Sequence, residues 1–276
     1  MAEKRAGLDI RGLRAIEEAF RGAQGEGRAA LITYLTVGYP TPGDTIGLVR
    51  ALQEGGADLI ELGVPFSDPV ADGPTIQRAS YAALRQGVTP KSCLEIVHNL
   101  RHDGIYVPIL LMGYYNPILS YGPRQYALDC RACGVDGLIV PDLPPEEADE
   151  LATACREQGL ALVFLVAPTS SEKRIALLSA ATSGFLYVVR RLGITGADQA
   201  STDGLEEQLA AVRRHARTPI ALGFGLSSPD QIAAAAKMAD GVIVGSAVVD
   251  RANNGAQTLR EYVASLRIAS RRHSAA

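Results

Sequence analysis

The stretch Leu59-Ile-Glu-Leu-Gly-Val64 is a short apolar run, and the segment Pro65-Phe-Ser-Asp-Pro-Val-Ala-Asp-Gly-Pro74 behind it is broken by proline and glycine. Such a run predicts a buried strand, and the proline and glycine predict a loop after it. The strand carries Glu61 and the loop carries Asp72. Two carboxyl groups from different backbone segments can converge on one pocket, an arrangement suited to proton transfer.

Runs like this one recur along the chain and predict eight strands. They are Ala30–Val37, Asp58–Val64, Val107–Gly113, Gly137–Pro141, Ala161–Val166, Phe185–Val189, Pro219–Leu222 and Gly241–Gly245. Helix-period segments with cap residues or an early proline separate them. Alternating strands and helices predict parallel pairing, and eight such units in 276 residues favour an α/β fold with a single (β/α)8 TIM-barrel domain over residues 1–276. An open doubly wound sheet is the alternative.

Two further helices flank the regular units. Arg11–Arg21 predicts an extra N-terminal helix that closes the bottom of the barrel, and Thr75–Gln86 predicts an extra helix after the second strand. The tail from Arg267 to Ala276 is rich in Arg, Ser and Ala. We expect this tail to be frayed.

The composition excludes several classes of partner. A net charge of −3 and a pI near 5.9 give no basic surface for nucleic acid or acidic lipid. Residues Met1 to Arg14 lack the apolar core of a signal peptide, and no apolar run reaches the length of a membrane span. We therefore expect a cytoplasmic protein that binds neither nucleic acid nor membrane.

The cysteines and histidines do not form a convincing set of metal ligands. Cys130 and Cys133 have the spacing of half a zinc site, and His98 and His102 have the spacing of a metal-binding pair on a helix. Each pair lacks further ligands at a fitting distance. Packing on helix faces is the favoured interpretation, and we expect no metal and reduced cysteines.

Two glycine-rich loops late in the chain predict a phosphate site. Gly223-Phe-Gly-Leu-Ser227 follows the seventh predicted strand, and Gly245-Ser246 follows the eighth. Barrels of this type bind phosphate through backbone N–H groups of these loops. Gly193-Ile-Thr-Gly196 after the sixth strand can add another N–H group and a movable lid. Tight turns that require glycine are the alternative explanation.

The lysines argue against one mechanism of carbon–carbon cleavage. Lys4, Lys91, Lys173 and Lys237 lie in the N-terminal segment or in predicted helices. No lysine at a strand end can therefore form a Schiff base. If two acids cleave a carbon–carbon bond here, the substrate itself must accept the electrons.

The segment from Glu61 to Gln77 resembles the signature of the tryptophan synthase alpha subunit family. The similarity covers roughly residues 10 to 265. It continues through Leu111–Pro117, Val140–Pro145, Gly193–Gly196, Gly223–Ser227 and Gly245-Ser246. The resemblance implies a (β/α)8 lyase that performs the retro-aldol cleavage of indole-3-glycerol phosphate to indole and glyceraldehyde 3-phosphate.

Family positions then imply a role for each matching residue. Glu61 matches the general acid and base, and Asp72 matches the carboxylate that accepts the indole N–H. Thr195 matches a lid threonine that contacts this aspartate. The implied substrate contacts are Tyr34, Tyr114, Tyr187 and Thr195, and the implied phosphate ligands are the backbone N–H groups of Gly196, Gly225, Gly245 and Ser246. An ordinary core role for the tyrosines remains the alternative.

The resemblance also implies a partner. This is the beta subunit, which carries pyridoxal phosphate and forms an alpha2beta2 heterotetramer, while the alpha chain itself needs no cofactor. Asp68 and Pro69 lie in the segment that resembles the subunit contact. Two residues depart from the family pattern: Thr33 replaces a proline, and Arg190 replaces a small polar residue at the base of the lid. An extra cation at position 190 can alter the closure of the lid and, with it, the coupling between the subunits.

Other functions remain open from the sequence. The chain could be a stand-alone indole-3-glycerol-phosphate lyase that releases free indole for another pathway. It could also be a catalytically silent subunit that binds phosphate ligands. A different phosphate-binding barrel would need other acids or bases at its strand ends.

Overall fold

The computed structural model describes residues 11–189, 204–223 and 225–272. Its strands are β1 (Ala30–Thr36), β2 (Leu59–Gly63), β3 (Ile109–Met112), β4 (Gly137–Ile139), β5 (Ala161–Val163), β6 (Leu165–Val166), β7 (Leu186–Val189), β8 (Ile220–Gly223) and β9 (Gly241–Val244). All of the recorded strand pairs are parallel, in the order β5-β4-β3-β2-β1-β9-β8-β7-β6.

The fifth predicted strand closes this sheet into a barrel. Its first half, β5, pairs with β4, and its second half, β6, pairs with β7. Phe164 lies between the halves, and its carbonyl accepts the N–H of Tyr187 at 3.1 Å. The nine strands therefore occupy the eight positions of a (β/α)8 barrel, as the sequence predicted.

The helices are α1 (Leu13–Gly25), α2 (Thr45–Glu54), α3 (Pro74–Arg85), α4 (Pro90–His102), α5 (Tyr115–Tyr121), α6 (Pro123–Cys133), α7 (Asp149–Glu157), α8 (Glu172–Ala181), α9 (Leu205–His215), α10 (Pro229–Met238), α11 (Ser246–Ala252) and α12 (Gly255–Ala269). Several begin with proline in the first turn, where the missing N–H costs nothing. No helix in the described ranges is long and apolar enough to cross a membrane.

The core has two layers. Apolar side chains between the strands and the helices form the outer layer, which includes Cys93, Cys130 and Cys155. These cysteines therefore pack on helix faces, as expected. Side chains inside the barrel form the inner layer, and Ile16 and Phe20 of α1 belong to it. Both expected extra helices are thus present: α1 closes the bottom of the barrel, and α3 follows β2.

A repeated hydrogen-bond pattern holds the bottom of the barrel. Asp58, Asp136, Ser183 and Asp240 precede β2, β4, β7 and β9, which occupy the second, fourth, sixth and eighth positions of the barrel. Each side chain accepts the N–H at the start of the preceding strand, from Leu31 at 2.7 Å, Ile109 at 2.8 Å, Leu162 at 2.9 Å and Ile220 at 2.9 Å. We call these four residues the bottom clamps. They fix the register at the end of the barrel away from the strand C-termini.

The expectation of a frayed tail is wrong for residues 267–272. Arg267 lies in α12, and its guanidinium donates to Asp58 at 2.8 Å and to Glu26 at 2.7 Å. The N–H of Arg272 donates to the carbonyl of Gly27 at 2.8 Å. The arginines that suggested a frayed tail instead join α12 to the bottom of the barrel. Residues 273–276 lie outside the described residues.

Candidate active site

Glu61 lies in the middle of β2 and inside the barrel. It pairs with Tyr34 of β1 on one side and with Leu110 of β3 on the other. It is 1 % exposed, and neither carboxyl oxygen has a hydrogen-bond partner among the described residues. Burial raises the pKa of Glu61 to about 8, because a low-dielectric environment disfavours the charged form. Glu61 is therefore a carboxylic acid that keeps its proton at neutral pH.

Asp72 lies in the loop between β2 and α3. The hydroxyl of Tyr114 donates to its Oδ2 at 3.1 Å, and the same hydroxyl accepts the N–H of Ala71 at 3.0 Å. Burial raises the pKa of Asp72 to about 6, while the hydrogen bond from Tyr114 lowers it. Asp72 does not cap the helix that follows, because Gly73 is the N-cap of α3. Asp72 is mainly ionised at neutral pH.

The two carboxyl groups line one cavity at the C-terminal end of the strands. Of the predicted residues, the structure also brings Tyr34, Tyr187, Gly225, Gly245 and Ser246 to this cavity. Tyr114 supports Asp72 from outside the lining. Asp68 is exposed on the same loop and Pro69 is half-buried. Thr195, Gly196 and Arg190 lie outside the described residues.

Six lining residues were not predicted as part of the site. They are Gly73, Pro74, Thr75, Ile76, Met112 and Ile243. Met112 ends β3, so its place at the strand C-terminus was a signal that could have found it. Ile76 lies in the first turn of α3, and Ile243 lies within β9. Nothing in the sequence distinguishes these two from ordinary core residues.

The two cavity tyrosines each lie across a glycine of the next strand. A Cβ atom on Gly63 would be 1.9 Å from the hydroxyl oxygen of Tyr34, and one on Gly223 would be 2.6 Å from that of Tyr187. Burial is the main reason that the pKa of each phenol is raised. Both tyrosines are therefore neutral, and each depends on a glycine for its position.

The glycine loops supply backbone groups and no formal charge. Gly225 has a φ of +72°, a conformation that favours glycine. Gly245 is the N-cap residue of α11, which begins at Ser246. No lysine or arginine is among the described residues that line the cavity. Among the described residues, moreover, no group of three or more His, Cys, Asp or Glu side chains could hold a metal ion.

Fold and cavity together define a class of protein. This chain is a (β/α)8-barrel enzyme whose site holds one carboxyl group that keeps its proton and one that has lost it. Both groups lie at the end of the barrel where such enzymes carry their chemistry.

Comparison with known proteins identifies the family. Residues 20–276 match the family described as tryptophan synthase alpha chain. A tryptophan synthase alpha chain from Roseiflexus castenholzii is 50 % identical over 235 residues, which are 85 % of this chain and 90 % of that protein. A crystal structure of tryptophan synthase from M. tuberculosis has 38 % identity and a TM-score of 0.85, covering 94 % of this chain and 98 % of the other. The chain belongs to the tryptophan synthase alpha chain family.

Family membership establishes the reaction. The chain is a carbon–carbon lyase of tryptophan biosynthesis, and it cleaves indole-3-glycerol phosphate. The matches support this function and neither the stand-alone lyase nor the silent subunit.

Proposed function

We propose that Glu61 is the general acid and base of this cleavage. Its protonated carboxyl group donates a proton to C3 of the indole ring, which turns the ring into an indolenine-like cation. The cation accepts the electrons of the breaking carbon–carbon bond, and Glu61, which is ionised after giving up its proton, takes the proton of the glycerol hydroxyl as the aldehyde forms. The resulting products are indole and glyceraldehyde 3-phosphate.

Asp72 is proposed to stabilise the positive charge that develops on the ring. Its ionised carboxylate accepts the indole N–H, and Tyr114 keeps it in place. The observation that carries the proposal is that one cavity holds Glu61, whose buried carboxyl oxygens have no hydrogen-bond partner among the described residues, and Asp72, which accepts a hydrogen bond from Tyr114. Burial raises the pKa of Glu61 to about 8 and that of Asp72 to about 6. Near pH 7 the first can donate a proton while the second accepts a hydrogen bond.

The remaining cavity residues are proposed to hold the substrate. Tyr34 and Tyr187 lie beside the indole ring, with Tyr114 behind Asp72. The phosphate rests on the backbone N–H groups of Gly225, Gly245 and Ser246 together with Gly196, and Thr195 belongs to the lid. The chain needs no cofactor of its own, because the protonated indole accepts the electrons.

The proposed partner is the pyridoxal-phosphate beta subunit, with which the chain forms an alpha2beta2 heterotetramer in the cytoplasm. Asp68 and Pro69 contact it, and support comes from Val70 beside them, which is apolar yet 83 % exposed. Further support comes from a Saccharomyces cerevisiae protein named tryptophan synthase. It is 45 % identical over 235 residues, but these are only 33 % of its length, so a region like this chain is covalently joined there to a larger remainder.

Two substitutions test the roles of the carboxyl groups. Glu61→Gln removes the transferable proton and is expected to lower the rate of indole release by about 10²- to 10⁴-fold. Asp72→Asn is expected to slow cleavage severely as well. Inorganic phosphate should bind to both variants as it does to the unsubstituted chain, since the glycine loops are unchanged. Glu157→Gln at the exposed end of α7 is the control. Normal turnover of the Glu61 variant contradicts the proposal.

A further inference from the structure

The two glycine loops are connected by side chains that do not line the cavity. Tyr262 of α12 donates its hydroxyl to the carbonyl of Ser227 at 2.7 Å, and Ser227 closes the loop that contains Gly225. The guanidinium carbon of Arg251 in α11 lies 3.7 Å from the centroid of the Tyr262 ring. We call Arg251 and Tyr262 the loop strut. It reaches from one glycine loop to the helix that begins at the other.

Both backbone groups of Ser227 are fixed. Its N–H donates to Oε1 of Gln231 at 2.9 Å, and its carbonyl accepts from Tyr262. The same Gln231 oxygen accepts the N–H of Ser228 at 3.2 Å. The end of this loop cannot rotate without breaking these bonds. The direction of the N–H groups near Gly225, two residues before Ser227, is therefore tied to Tyr262.

The other end of the strut reaches the second loop. Nη1 of Arg251 donates to the carbonyl of Ala247 at 3.2 Å, and Ala247 follows Ser246 directly. A cation this close to an aromatic face is attracted by its quadrupole. The guanidinium of Arg251 thus binds the first turn of α11 and the ring of Tyr262 together.

The described residues that line the cavity include no lysine or arginine. Binding of the phosphate by these residues therefore depends on the distance between the loop that contains Gly225 and the loop that contains Gly245. A phosphate held by backbone N–H groups alone depends on where each N–H points. A lysine could adjust to a shifted phosphate, whereas fixed amides cannot.

We propose that Tyr262 and Arg251 are positioning residues that hold the two glycine loops at the spacing needed by a phosphomonoester. The inference rests on the proposed phosphate site. It concerns the binding of the substrate phosphate, and it leaves the proton transfer by Glu61 unchanged.

The main test is Tyr262→Phe, which removes one hydroxyl and keeps the ring under Arg251. The KM for indole-3-glycerol phosphate and the inhibition constant of inorganic phosphate are expected to rise together by about three- to tenfold, because one hydrogen bond is lost. The kcat should stay the same. Tyr81→Phe is the matched control, since Tyr81 also has an arginine, Arg85, near its ring and no recorded hydrogen bond of its hydroxyl among the described residues.

A second pair of variants separates position from charge. Arg251→Met loses both the charge and the contact with the ring, and it should raise the same two constants. Arg251→Lys keeps the charge but loses the planar contact, so it should remain impaired. Lysine can also place its cation over the ring, so partial recovery agrees with the positioning role, whereas unchanged constants in Arg251→Met overturn it.

These measurements separate a failure of the proposed phosphate site from a failure of the loop strut. If inorganic phosphate does not compete with substrate in the unsubstituted chain, the proposed phosphate site is wrong and the strut falls with it. If phosphate competes there but Tyr262→Phe leaves both constants unchanged, only the strut is wrong. A fall in kcat at constant KM, or equal changes in kcat and KM with a lower melting temperature, also overturns it.

Discussion

Glu61 and Asp72 carry the same functional group in one cavity but differ in their surroundings. Asp72 accepts a hydrogen bond from Tyr114, whereas Glu61 has no recorded partner in the described part of the chain. Burial raises both pKa values, and it raises that of Glu61 further. The division of labour between a proton donor and an acceptor therefore follows from the environment of each side chain.

Tyr114→Phe tests the contribution of this hydrogen bond. The hydroxyl lowers the pKa of Asp72, so its removal should raise that pKa. The acidic limb of kcat/KM, where Asp72 must be ionised, should move to higher pH by about one unit. Activity at pH 6 should fall more than activity at pH 7.5. Tyr115→Phe, at the neighbouring position, is the control, and an unmoved acidic limb contradicts the assignment.

The sequence predicted the carboxyl groups better than their surroundings. Glu61 and Asp72 lie in one continuous motif, so a strand followed by a loop was enough to bring them together. The bond from Tyr114 to Asp72 spans 42 residues. Its existence depends on how β3 and the following helix pack beside β2, and this information is not in the local pattern.

The bottom clamps make the same hydrogen bond at four places in the barrel. We expect their substitution to lower the free energy of unfolding by amounts that depend on whether the clamp carries a buried charge. Asp136 is fully buried and pairs with Arg101, which is 10 % exposed. Asp136→Ala leaves that guanidinium bonded to backbone carbonyls but without a carboxylate partner among the described residues, and it should lower the free energy of unfolding by about 3–5 kcal/mol. Ser183→Ala removes the equivalent acceptor but leaves no buried charge without a partner. A loss of about 1–3 kcal/mol in the free energy of unfolding is therefore expected.

Denaturant-induced unfolding of the two clamp variants measures this difference. Equal losses of unfolding free energy in the two variants would show that the buried ion pair of Asp136 does not contribute to stability beyond the hydrogen bond. A loss below about 1 kcal/mol for Asp136→Ala would contradict the role of the clamp itself.

Gly63→Ala tests the crossing of Tyr34 over β2. The new Cβ would overlap the tyrosine ring, so the ring must leave the cavity wall. Displacement of an active-site group by about 1 Å can cost on the order of 100-fold in rate, and we expect kcat/KM to fall by about 10- to 100-fold. Gly47→Ala in α2 is the control, because its Cβ would meet open space. Full activity of the Gly63 variant would mean that Tyr34 has no role.

Strands were easier to predict than the short and late helices. The strands are continuous apolar runs, whereas α5 has only seven residues and contains Pro117. Helix α12 does have an apolar period at Leu259, Val263 and Leu266. Its start is obscured by Asn253-Asn254-Gly255, a sequence typical of a turn. Its end is fixed by ion pairs with Glu26 and Asp58, which no local pattern shows.

The residues that stabilise the barrel and the residues of the candidate active site lie at opposite ends of it. The clamps and the Arg267 ion pairs lie at the bottom, and the cavity with its loops lies at the top. A partner that docks on the top loop near Val70 can therefore change the rate without changing the bottom of the fold.

Addition of a beta subunit tests this arrangement. Indole release should be faster in the complex than in the chain alone. Val70→Asp should weaken the complex at least about tenfold and leave the rate of the isolated chain unchanged. Ile268→Asp, an exposed apolar residue of α12 near the bottom, should do neither. Absence of activation favours a stand-alone lyase.

The dependence of kcat/KM on pH tests the central claim most directly. An ionised Asp72 with a pKa of about 6 and a protonated Glu61 with a pKa of about 8 predict a bell-shaped curve with its maximum near pH 7. In Asp72→Asn, whatever activity remains should lose the acidic limb and keep the basic one. A rate that keeps rising above pH 9, or a curve without limbs, would contradict the claim that a buried, protonated Glu61 begins the reaction.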